Sequence, residues 1–199
     1  MSAALQHPLP SRVQRHFEHF VAAHDWSKDH SKIELLDEKI VVTPPGGHPH
    51  AEIIANTFFA IRSFVQSQKL GVVFESSAGF DLPTGDHVIP DVSFVTAARW
   101  ASTPKVAGAS YAPVVPDLVV EVLSPSNADH DRGPKRSIYE ANGVREYWLI
   151  DHQRRIIAVL VRDDGRGAFA AERTYRDGDR VVSSVLAGLD VAVSDVLPI

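Results

Sequence analysis

Apolar and polar positions along this chain alternate between two periods, and the changes of period mark out its elements. Between Ser11 and Trp26, Val13, Phe17, Phe20, Val21 and His24 fall at helical spacing, which predicts an amphipathic helix docked on the rest of the protein or on a partner subunit. Ile33 to Val42 reads as two strands around Asp37-Glu38, closed by the break Pro44-Pro45-Gly46-Gly47. A second helix is expected from His50 to Gln68, with Ile54, Thr57, Phe58, Ile61 and Val65 as its buried stripe and Lys69-Leu70-Gly71 as its stop. Val72 to Glu75 predicts a strand, Ser76 to Phe80 the start of the next, and Asp81 to His87 a polar turn. Val88 to Val95 is a short apolar strand with Pro90-Asp91 at its entrance, and Trp100 to Val115 is a Pro, Ala and Ser loop over the sheet edge.

Asp117 to Leu123 is another apolar run, short and β-branched, and reads as a strand buried on both faces. Ser124 to Asn127 is a loop, and Asp131 to Gly143 is a short helix with Pro134 in its first turn and Gly143 after its last. Gly143 to Asp151 gives the next apolar strand. Strand, helix, strand in this order implies a crossover between parallel neighbours. Arg155 to Val161, Ala168 to Tyr175 and Val181 to Val185 then predict an appended antiparallel meander. The expected architecture is α/β: residues 1–29 form an N-terminal extension with its helix, and residues 30–199 a single domain.

Chemistry enters where a polar residue interrupts an apolar pattern. Glu121 sits in the middle of its buried run, where an ionised carboxylate is costly unless it is paired or holds a metal. Asp91 stands at the entrance of a second strand, thirty positions earlier, far enough for the two strands to be neighbours. Two carboxylates from adjacent strands suit Mg²⁺, which takes one or two carboxylates, several waters and phosphate oxygens. Against this, Pro-Asp is a common turn pair and Glu121 could be half of a structural ion pair. Asp117 shares a face with Glu121, but four strand residues put it roughly 13 Å away, so it reads as a strand-entry residue. Lys135 and Tyr139, four apart on the predicted helix, share one face, and the helix start can aim Lys135 back at Glu121. Among the ten histidines only His50 begins a buried stripe, where packing is the ordinary role.

The ordered set Pro90-Asp91, Pro116-Asp117-Leu118-Val119-Val120-Glu121-Val122-Leu123-Ser124-Pro125-Ser126, Asp131-Arg132-Gly133-Pro134-Lys135, Tyr139 and Gly143 to Asp151 resembles the bacterial putative restriction endonuclease family within the PD-(D/E)XK nuclease superfamily. The match is strongest over residues 88 to 151. The resemblance implies a restriction-endonuclease-like core: a helix, a mixed central sheet and a crossover helix. It also implies Asp91 and Glu121 as Mg²⁺ ligands, with Mn²⁺ as a substitute, and a catalytic lysine. The usual lysine stands two residues after the second acid, where this chain has Leu123; Lys135, from the following helix, is the replacement, and a histidine at the start of the second helix, here His50, is implied near the carboxylates, where it could support them or touch a phosphate.

Composition narrows the classes. The chain has 44% hydrophobic and 23% charged residues, ordinary values for a globular protein. It has no apolar run long enough for a membrane helix, no block resembling a signal peptide, and no cysteine, which fits a cytoplasmic protein. The net charge of −5 argues against indiscriminate coating of DNA, although Arg132, Lys135, Arg136 and Arg145 could form a local patch, with Arg154-Arg155 beyond. Phosphate-binding glycine loops and the serine-hydrolase elbow are absent. The expected function is Mg²⁺-dependent cleavage of phosphodiesters in nucleic acid, DNA above all, by a homodimer. Two rivals are a catalytically inactive module that binds nucleic acid or protein, and a hydrolase of small phosphate esters.

Overall fold

A computed structural model describes residues 11–25, 30–105, 111–124, 128–163 and 165–197. The expectations for residues 1–10 and for most of the Ser124–Asn127 loop lie outside the described residues, as does the middle of the loop expected at 100–115.

Ser11 caps helix α1 (Arg12–Ala23) by accepting from the Gln14 N–H while the Gln14 side chain accepts from the Ser11 N–H. Strands β1 (Lys32–Leu36) and β2 (Lys39–Thr43) form the expected hairpin, and Asp37 and Glu38 both take positive φ, as its tight turn requires. Helix α2 (His48–Gln68) starts two residues earlier than expected, with Pro49 in its first turn, and stops where Lys69 turns left-handed. Its fully buried stripe is Ile53, Thr57, Ile61 and Val65; Ile54 and Phe58 are only half-buried.

β3 (Gly71–Glu75) follows, then two short strands, β4 (Phe80–Asp81) and β5 (His87–Val88), and β6 (Val92–Thr96). The run 88–95 is therefore two strands, not one. Val88 belongs to a four-stranded sheet ordered β2-β1-β5-β4, whereas β6 belongs to the central sheet, and Pro90-Asp91 is the corner between them. α3 (Ala97–Ser102) occupies the start of what read as a loop.

β7 (Leu118–Val122) is buried throughout and pairs in parallel with β8 (Glu146–Asp151), as a crossover demands. The crossover is not one plain helix. A turn α4 (Ala128–His130) runs into a π-helical turn at Asp131–Lys135, which contains Pro134, and then into α5 (Arg136–Ala141). Proline lacks the N–H that a regular helix interior uses, so its place inside the wider turn, rather than at a helix start, has a physical reason. Gly143, at φ +80°, ends the segment.

β9 (Ile156–Asp163) and β10 (Ala168–Arg176) are no separate appendage: they continue the central sheet, ordered β10-β9-β8-β7-β6-β3. The third segment, β11 (Arg180–Val182), leaves it and pairs with β12 (Asp190–Ala192), which the pattern did not reveal, before α6 (Val193–Val196). Two apolar layers result. One, with Ile53, Ile61, Phe94, Val120 and Trp148, joins α2 and α6 to one face of the central sheet. The other, with Leu36, Val88, Val119, Leu123, Tyr139 and Tyr147, joins the opposite face to the crossover and the smaller sheet. Glu121, between Val119 and Leu123 in a two-residue period, faces this second layer. Phe17 of α1 packs on Ile33 and Leu35 of β1.

Candidate active site

Four acids and two lysines meet where the two sheets face each other. Asp91 at the corner, Glu121 of β7, and Asp131 and Lys135 of the π turn line one cavity of about 640 Å³ with Lys32 and Glu34 of β1 and His50 of α2. The alternation of β1 explains its part: Ile33 and Leu35 go to Phe17, and Lys32 and Glu34 to the opposite side. The half-buried Ile54 and Phe58 of α2, with Pro44 and Pro45, form an apolar wall.

Asp91 is buried and held from three directions. Lys32 Nζ donates to Oδ1 at 2.5 Å, and the Val122 N–H donates to Oδ2 at 2.7 Å. His50 Nε2 lies 3.5 Å from Oδ2 and 3.0 Å from the Val122 carbonyl, an approach to two oxygens that calls for a proton on Nε2. Burial opposes ionisation of Asp91, but Lys32 and His50 outweigh it and hold the carboxyl well below its usual range.

Glu121 goes the other way. Lys135 Nζ donates to Oε1 at 3.0 Å and the Tyr139 hydroxyl to the same oxygen at 2.7 Å, so both partners predicted on one helix face reach one atom. Burial nevertheless dominates, with Asp131 and Asp91 adding repulsion, and pushes the Glu121 carboxyl up to about 8 despite Lys135. Asp131 is raised to about 6, again chiefly by burial and by the neighbouring acids Asp91 and Glu34. Lys135 also faces Glu34 at 3.2 Å and Asp131 at 3.6 Å. Burial works against its charge, but the surrounding carboxylates raise its pKa well above the ordinary value. The Glu34 carboxylate accepts the Ile89 N–H at 2.7 Å, and the Tyr147 hydroxyl donates to the Asp131 carbonyl at 3.0 Å, which pins the π turn.

The structure thus brings Asp91, Glu121, Lys135, Tyr139 and His50 to one place. Reading the sequence missed Lys32, Glu34 and the inward direction of Asp131. The alternation Lys32-Ile33-Glu34-Leu35 was the available signal, and a solvated strand face was its ordinary meaning. Asp117 lies apart, as expected: it accepts the Thr96 N–H at 2.8 Å and meets Arg99 and Arg145 at 3.4 and 3.8 Å. The basic residues around the site behave as a solvated, acid-paired face, the ordinary meaning of such a cluster. Arg132 pairs with Asp151 at 2.9 Å and Arg136 with Glu140 at 3.4 Å, and Arg154 and Arg155 pair with Asp151 and Asp177, so of that cluster only Lys135 enters the site. Leu123 is buried in the apolar layer beside Glu121. Glu75 reaches the cavity rim, exposed, and accepts from Ser76 Oγ at 3.2 Å. Among the described residues no group of three or more His, Asp or Glu side chains is arranged to hold a metal ion, and no helix is long and apolar enough to cross a membrane.

A mixed sheet with a buried acid pair at a strand end and a crossover helix defines an α/β protein of nuclease-like fold. That class agrees with a solved structure described as a putative nuclease belonging to DUF820 from Anabaena variabilis ATCC 29413: the TM-score is 0.69 at 18% identity, over 95% of this chain and 97% of that one. The Uma2 family model, described as "Putative restriction endonuclease", matches residues 17–194, and the chain belongs to that family. No curated protein matches the chain.

Proposed function

We propose that the protein is a Mg²⁺-dependent endonuclease of the PD-(D/E)XK type that hydrolyses phosphodiester bonds in nucleic acid, with DNA as the substrate and Mn²⁺ as a working substitute. The observation that supports this most is the convergence of Asp91, Glu121 and Lys135, from a corner, a strand and a crossover, on one cavity. The donor set suits the ion. It consists of hard oxygens without thiolate, and Mg²⁺ needs only one or two protein carboxylates, because waters and phosphate oxygens complete its shell. The charge balance suits it too: Glu34, Asp91, Glu121 and Asp131 face Lys32 and Lys135, so full ionisation leaves an excess of two negative charges, that of one divalent cation.

Asp91 and Glu121 would hold the ion, which supplies a water of lowered pKa and offsets charge on the phosphate. The chain's own residues do the rest. Val122 N–H and His50 fix Asp91, Tyr139 and Lys135 fix Glu121, and the apolar wall of Ile54 and Phe58 limits bulk water. In the overall hydrolysis a water oxygen would form a bond to phosphorus, the bond to one sugar oxygen would break, and that oxygen would take up the water's proton, leaving a phosphate monoester and a hydroxyl. A homodimer would give one site to each strand of a duplex; light scattering that finds only monomer contradicts that assembly.

A second reading, a nuclease fold without activity, draws on Leu123 standing where the superfamily's lysine is usual. A plasmid-nicking assay in Mg²⁺ or Mn²⁺ separates the two. Nicking by the wild type with at least a loss of about a hundredfold in Asp91→Ala is expected. Equal cleavage by both proteins defeats the nuclease assignment, and cleavage by neither favours the inactive module. Hydrolysis of a nucleotide-sized ester without any cleavage of DNA would instead point to small phosphate esters.

A further inference from the structure

We infer that Lys32, not Lys135, is the lysine that meets the phosphate of the substrate. The inference rests on the nuclease reading above and assigns a residue that the family's motif does not include. An ammonium group has three hydrogens to donate. Lys135 is surrounded by three carboxylates, at 3.0 Å from Glu121, 3.2 Å from Glu34 and 3.6 Å from Asp131. Its side chain is only 7% exposed. To turn toward a phosphate it would have to leave at least one buried carboxylate without its cation, a strongly unfavourable exchange. Lys135 therefore positions Glu121 and Asp131 and holds the π turn in register with β7.

Lys32 is differently placed. Among the described residues it pairs with Asp91 alone, its side chain is 20% exposed, and it lines the same cavity. Two of its three hydrogens remain for a ligand. It comes from β1 of the smaller sheet and not from the crossover that carries Lys135. A phosphodiester brought to Asp91 arrives beside this ammonium, which donates hydrogen bonds to a non-bridging oxygen and offsets the charge that builds there in the transition state. No proton changes hands in this role.

The test uses the whole metal-free protein in EDTA and a short fluorescein-labelled DNA strand. Acetylation of lysines is followed by mass spectrometry with and without the strand, with the exposed Lys39 and Lys69 as references. Lys32 is expected to react and to be protected by the strand, while Lys135 stays unreactive in both. Lys32→Met should weaken strand binding about tenfold and Lys32→Arg should restore most of it. Equal acetylation of Lys32 with and without the strand overturns the inference, and so does wild-type binding by Lys32→Met or a complete lack of strand binding by the wild type. Mn²⁺-dependent nicking that survives in Lys32→Met but not in Asp91→Ala overturns it and leaves the nuclease reading standing. A wild type that never nicks, yet in which the strand protects Lys32, sinks the nuclease reading and keeps the contact.

Discussion

Glu121 carries the tension of the site. Its carboxyl is raised from an ordinary 4.5 to about 8, first by burial and then by Asp131 and Asp91. The folded protein therefore keeps a proton that the unfolded chain releases, and stability falls as the pH rises from about 4.5 to about 8. Asp131, raised to about 6, acts in the same direction. Asp91 acts in the opposite one: its depressed pKa adds stability above its ordinary value of 3.8, lost as the pH falls below it. The metal-free melting temperature of the wild type should thus drop between pH 6 and 8, whereas Glu121→Gln should drop less and melt higher at pH 8 while losing cleavage. Thermal melts across that window check this, and a steeper fall for the variant contradicts it. At this scale the meeting of Glu121 with Asp91, Lys135 and Tyr139 was legible, because the two acids interrupt apolar runs and Lys135 and Tyr139 share one face of a helix that starts just after the strand of Glu121. Lys32 and Glu34 were not, because a strand with alternating polarity looks the same whether its polar face meets water or a second sheet.

Among the elements, the β1–β2 hairpin, α2 and the pair β7–β8 followed from period and punctuation. What pattern could not supply was the neighbour of each strand. The corner at Pro90-Asp91 divides a continuous apolar run between two sheets, and two-residue strands such as β4 and β5 are too short to display any period. The expected meander was seen as strands but not as the far edge of the central sheet. The docking of α1 has a functional side. Phe17 stacks on His87 with ring centroids 4.6 Å apart and covers the apolar face of the strand whose other face holds Lys32 and Glu34. Phe17→Ala should cost about 3–5 kcal/mol in urea denaturation and lower cleavage at temperatures where the protein is still folded. A loss below about 1 kcal/mol would mean that α1 lies on the domain without supporting it.

The molecule as a whole has a net charge of −5, and Arg132, Arg136 and Arg155 are engaged by acids outside the cavity. The charge balance alone gave the expectation of weak phosphate attraction; it could not give the partners of Arg132 and Arg155, since Asp151 and Asp177 lie 19 and 22 residues away along the chain. Binding to DNA should then depend on few phosphate contacts. The slope of log K against log salt should be about −3 or shallower, against about −9 for a protein that neutralises ten phosphates. A titration of duplex binding across salt concentrations measures it, and a slope near the larger figure would contradict this expectation.

The most direct measurement is an anomalous-scattering map of a crystal soaked in Mn²⁺. One peak is expected in the cavity, about 2.0–2.3 Å from a carboxylate oxygen of Asp91 and from one of Glu121. Absence of a peak at saturating Mn²⁺, or a peak bound by neither acid, would contradict it.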